Sequence, residues 1–145
     1  MNMSNYLASA LLNQVFRNTA YTRPSKVYLA LYTSNPTAAD TGQEVTGGSY
    51  ARQEITFGAP TTESYQQYHP STGQQVTVQK RTIKNSADIV MPTASGDWGQ
   101  VTHIGIRDAA TGGNLLYFGA LDTPRSILTN DIFKILTGQV SLTLA

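Results

Sequence analysis

Apolar and polar positions alternate with a period of two along most of this chain, in short segments separated by glycine, proline, asparagine and aspartate. That is the pattern of a protein built from β-strands. The clearest segment is Val101 to Arg107, with Thr102, Ile104 and Ile106 on one face and Val101, His103 and Gly105 on the other. Leu115 to Leu121 is a second apolar run. Between the two, Asp108 and the residues from Thr111 to Asn114 tolerate positive φ or cap a reversal with a side chain, so the pair predicts a β-hairpin closed by a Gly-Gly-Asn turn. Upstream, Lys26 to Thr33 opposes Val27, Leu29 and Leu31 to Tyr28, Ala30 and Tyr32, which reads as a strand with one buried face. Tyr50 to Phe57 follows, with Ala51, Gln53, Ile55 and Phe57 on one side and Arg52 and Glu54 on the other. Ser86 to Met91, Arg125 to Leu128, Ile132 to Leu136 and Gln139 to Leu144 complete a run of short strands separated by turn residues.

One segment breaks this period. From Ser4 to Thr19, Leu7, Leu11 and Val15 recur at a four-residue spacing, and Leu12 and Phe16 widen the stripe. This predicts an amphipathic helix capped by Ser4 or Asn5. Its stripe covers either an open end or face of the β domain, or a neighbouring subunit. In the second case Leu7, Leu11 and Phe16 are interface residues.

Two connections are long. Ser34 to Gly48 is rich in turn residues and exceeds a simple hairpin loop, so it is a place for contacts. Gly58 to Asn85 is a polar stretch whose second half, Gln75 to Lys84, alternates as a strand. It reads as a hairpin projecting from the body, with Tyr65, Tyr68, Lys80 and Arg81 as candidate contact residues. The expected fold is all-β, an antiparallel β-sandwich or barrel-like domain with an N-terminal amphipathic helix and a projecting loop or hairpin insertion. It forms a single domain over residues 1–145, with the helix and its lead-in in 1–22 and the polar insertion in 58–85.

Composition narrows the function. The chain has 145 residues, is 13% charged, carries a formal net charge of +1 and has no cysteine. That balance gives no electrostatic case for nucleic acid or a membrane surface, and it excludes disulfides, zinc–thiolate sites and a cysteine nucleophile. A basic leader with an apolar core is missing at the N-terminus, so a soluble protein without a secretion signal is expected. A neutral hydrogen-bonding surface suits a protein that packs against its own copies. Of the two histidines, His69 lies in the polar stretch and reads as a solvated loop residue. His103 sits in a strand with no nucleophile elbow nearby, and reads as a hydrogen-bonded or interface residue rather than part of a triad. The acidic residues show no metal-ligand spacing, and Gly112-Gly113 lacks the lysine and helix of a phosphate loop. No catalytic, cofactor or metal residues are expected. Lys80, Arg81 and Lys84 form the one basic cluster, either a solvated strand face or a patch for an acidic partner surface.

Several separated blocks resemble a family of small tailed-phage virion proteins, often labelled tail-fibre or head-decoration proteins. They are the opening helix with Tyr6 and Leu7, the strand Val27 to Thr33 followed by Asn35, Pro36 and Thr37, the blocks Asp40 to Val45 and Gly47 to Arg52, and the long stretch from Trp98 to Gly119. Members of the family pass from the Phe57 strand to the Asn85 strand by a short glycine-rich link, so the polar stretch here looks like an insertion. The resemblance implies a non-enzymatic virion structural protein, assembled in the host cytoplasm. The first expectation is a capsid cement or decoration protein that bridges major capsid protein subunits as a homotrimer. The alternatives are a tail or tail-fibre component, or a module that binds a receptor or glycan through its tyrosines.

Overall fold

The computed structural model describes residues 1–144. The helix α1, Asn5–Phe16, follows a two-residue strand β1, Asn2–Met3. Ser4 caps it as expected: its hydroxyl accepts the Leu7 N–H at 3.1 Å and donates to Leu115 O. The helix ends at Phe16, the last residue of the apolar stripe and short of the expected Thr19; Asn18 beyond it adopts a positive φ of 50°.

The main sheet is antiparallel, in the order β1, β8, β7, β2, β3, where β2 is Val27–Tyr32, β3 Gln53–Ile55, β7 Gly99–Arg107 and β8 Leu115–Ile127. The predicted hairpin joins β7 to β8. Gly112 and Gly113 supply φ of 60° and 70°, and Asp108 closes the turn by accepting the Asn114 N–H at 2.7 Å. The polar stretch is the expected hairpin, β4 (Thr61–Tyr68) and β5 (Gln75–Lys84), and β10 (Ser141–Leu144) pairs with β5 in a three-stranded sheet. Short strands β6 (Ile89–Val90) and β9 (Lys134–Ile135) form the third sheet. The fold is all-β with one helix, as the patterning indicates.

The main core gathers Leu29, Leu31, Ile104, Ile106 and Tyr117 from the large sheet with Ile89, Met91, Trp98, Phe133 and Leu142 from outside it. Two expectations about faces fail. The strand β2 is buried on both sides, since Ala30 and Tyr32 pack with Leu115 and Phe118 beneath the loop that carries Ala38. Gly105 lies on this second face, where a Cβ would stand 2.8 Å from both the Tyr32 ring and Leu115. Val101, expected opposite Ile104, joins it in the same core. The ladder pairs Val101 with Arg125 but His103 with Ala120, so Thr102 alone faces Leu121 to Pro124. This bulge resets the alternation, and Pro124 falls within it, in the part of β8 that, among the described residues, pairs with no strand on its other side.

Candidate functional site

The long loop expected to make contacts is pinned to the body by two arginines. Arg107, at the end of β7, donates to both Asp40 carboxylate oxygens at 2.8 and 3.0 Å, to Tyr32 Oη at 3.0 Å and to the carbonyls of Gly112 and Gly113. Arg52 grips both oxygens of Glu44 at 2.7 and 2.8 Å and reaches the carbonyls of Ala109 and Gly112. Burial raises the Glu44 pKa, but hydrogen bonds from Arg52 and Tyr50 outweigh it, and the carboxyl sits below its ordinary value. Burial also pushes the Tyr50 phenol well up, helped by its bond to Glu44. Among the described residues no buried side-chain polar atom lacks a partner. Such a fully partnered network holds the loops in place.

The projecting hairpin carries four of the candidate contact residues, but on opposite faces. Cross-strand register puts Glu63 beside Lys80 and Tyr65 beside Val78, so Tyr65 and Lys80 share one face. Thr62 lies beside Arg81 and Tyr68 beside Gln75, so Tyr68 and Arg81 share the other. Lys80 Nζ lies 5.4 Å from the Tyr65 ring centroid, a cation–π contact. Lys84 is ion-paired with Glu63. Arg81 donates to Thr62 Oγ1 at 2.7 Å. The three basic residues therefore do not form a single patch, because strand alternation sends Arg81 to the opposite side from Lys80 and Lys84. Nor do Tyr65 and Tyr68 make one flat aromatic platform.

The helix stripe divides. Leu7 packs against the main core and Leu11 is half-buried, whereas Leu12, Val15 and Phe16 are exposed. Another side of the helix meets the returning chain, where Tyr6 and Tyr21 stack edge to face at 6.4 Å. Patterning alone does not reveal a second surface feature. An open groove of about 980 Å³ and mixed lining runs between the far half of β8 and the segment around β9, with Leu121, Phe133 and Leu136 beside Asp122, Arg125 and Asp131. Its residues come from distant parts of the chain, so only Ile132 and Leu136, apolar residues between turn signals, hint at it in the sequence.

His103 accepts from or donates to Thr102 Oγ1 at 2.8 Å. His69 is exposed at the hairpin tip, where its Nδ1 accepts the Ser71 N–H at 3.3 Å. Among the described residues no cluster of three or more histidine or carboxylate side chains could hold a metal ion. None of their helices is long and apolar enough to cross a membrane.

A family model described as "Podophage GP4 fiber I protein gp80" matches residues 2–143, a span that includes the helix, the projecting hairpin and all of β10 but Leu144. A search of the curated proteins finds no match.

Proposed function

We infer that this chain, which belongs to the podophage GP4 fiber I protein gp80 family, is a non-enzymatic component of a bacteriophage tail fibre. Family membership makes it a phage structural protein. The fibre role is supported by one observation above all, the match to a fibre protein across residues 2–143. It supports the tail-fibre alternative better than capsid cement, the first expectation from the sequence. The geometry is compatible with a building block. Two arginine clamps immobilise the loops of the body, while a polar hairpin and an apolar helix end extend from it as separate contact surfaces. In this reading the virion is where the protein resides, and its partners are other virion proteins and its own copies.

The test is copy number and position in purified virions. Quantitative mass spectrometry against the major shell protein should give far fewer copies than a shell lattice holds. Immunogold labelling with an antibody to the hairpin should mark the tail. Gold over the whole head, with copy numbers matching the lattice, would return the protein to a cement role.

A further inference from the structure

One strand edge among the described residues is long, regular and unguarded: the outer side of β4. The strand ends the sheet β10, β5, β4 and keeps an unbroken register with β5, from Thr61 opposite Thr82 to Tyr68 opposite Gln75. The next residue, His69, donates its N–H to Gln74 O at 2.8 Å. By the alternation of an antiparallel ladder, Glu63, Tyr65 and Gln67 therefore turn their backbone groups toward β5, and Thr62, Ser64, Gln66 and Tyr68 turn theirs outward. Folded proteins blunt such edges with lysine, proline, bulges or brevity. The far half of β8 has Pro124, Arg125 and a bulge, and β1 and β3 are only two and three residues long. Between Thr61 and Tyr68 there is no lysine, arginine, proline or glycine, and a single acid, Glu63. We propose that β4 pairs edge to edge with β4 of a second copy, antiparallel about a two-fold axis, so that the two hairpins share one continuous sheet.

The hairpin is short of support, and its own edge is what fits it. Among the described residues β10 pairs only with Arg81 to Lys84, so from Ser64 to Gln79 the hairpin is two strands wide, with most side chains exposed. A two-stranded ribbon is marginally stable in water, and added strands stabilise it. With the axis at Tyr65, Thr62 faces Tyr68 of the second copy and Ser64 faces its Gln66. Every outward residue is then bonded, giving about eight backbone hydrogen bonds. Tyr65 meets its own counterpart at a non-hydrogen-bonded position, where side chains approach most closely and aromatic pairs stabilise a sheet. Charge selects the same arrangement. Glu63, ion-paired with Lys84 at 2.5 Å, faces Gln67 of the second copy, whose amide donates to a carboxylate. The two Glu63 residues stand about 14 Å apart along the strands, beyond the screening length of about 8 Å. Parallel pairing would set them side by side, and an acidic strand from another protein would meet Glu63 directly. What this edge accepts is an uncharged strand rich in threonine, glutamine and tyrosine, and β4 is such a strand. The contact is isologous and closes at two copies. It does not depend on the fibre reading, since it uses β4 alone.

The experiment uses the full chain, which has no cysteine of its own. Size exclusion coupled to light scattering should show a concentration-dependent dimer for the native chain. Gln66→Pro removes one outward N–H, leaves the ladder to β5 intact and should run as a monomer. Two single-cysteine variants read the register without relying on that variant's fold. Under mild oxidation Tyr65→Cys should give a covalent dimer, because position 65 faces itself at a separation a disulfide spans. Gln67→Cys lies on the same strand face but opposite position 63 of the second copy, and should cross-link at least about tenfold more slowly. Circular dichroism melts establish that each variant is folded. A native chain that stays monomeric at all concentrations leaves the edge to another protein's strand or to none, and overturns the proposal. So does a Gln66→Pro chain that dimerises like the native one, or equal cross-linking at positions 65 and 67.

Discussion

Replacing Arg107 by methionine keeps an apolar stem of similar length in the fold and removes the guanidinium that joins β2, the long loop and the β7–β8 turn. The side chain is 9% exposed, and its partner Asp40 is 35% exposed. Five hydrogen bonds disappear, two of them to a carboxylate at 2.8 and 3.0 Å. Breaking a buried pair from one side costs about 3–5 kcal/mol. Here the abandoned carboxylate can regain water, whereas Tyr32 Oη and two carbonyls lose a donor in a tight site, so the lower part of that range, about 3 kcal/mol, is expected. With a urea slope of about 2 kcal/mol/M, the unfolding midpoint should fall by about 1.5 M. Asp40→Asn is the control. It retains a residue that tolerates the φ of 58° at this position and one acceptor, removing the charge at a cost of about 2 kcal/mol. In the double variant the effects should fall short of their sum by about 1 kcal/mol or more. A midpoint shift under about 0.5 M for Arg107→Met, or strict additivity with Asp40→Asn, would show that the clamp does not hold the loops.

Asn85 is buried and bonds three separate backbone groups, the Ala87 and Leu136 carbonyls at 2.9 and 3.1 Å and the Val140 N–H at 2.9 Å. Asn85→Ala should therefore cost about 3 kcal/mol, read by thermal melting, and Asn85→Asp should rescue nothing because a carboxylate would face two carbonyls. Gly105→Ala drives a methyl into the Tyr32 ring and Leu115 at 2.8 Å and should cost about 1–3 kcal/mol by overpacking; an unchanged urea midpoint would mean the second face is loosely packed. Glu44 has a folded pKa below its ordinary 4.5, so its contribution is full above that value and is lost as pH falls from about 4.5 through the folded pKa. Urea midpoints between pH 7 and pH 3 should decline, less steeply for Glu44→Gln, and identical slopes for the two proteins would exclude this carboxyl as a source of acid sensitivity.

Local rules account for much of what the sequence alone made legible. The β7–β8 turn follows from Asp108 and the paired glycines, the Ser4 cap from a hydroxyl before an apolar periodicity, and the projecting hairpin from alternation resumed at Gln75 after a polar stretch. In each case nearest neighbours in the chain determine φ, ψ and side-chain direction. Faces and partners are another matter, because they depend on which distant segment covers a surface. Whether β2 buries one side or two was decided by a loop folding over Tyr32, and the phase of Val101 by a bulge that admits Leu121 to Pro124 opposite Thr102. Alternation likewise separated Arg81 from Lys80, which adjacency in sequence had grouped. The helix stripe was visible as a whole, but only the tertiary structure divided Leu7, packed on the core, from Leu12, Val15 and Phe16, left in solvent. The groove beside β8 had the least sequence signal, since it is lined by residues that only the fold brings together.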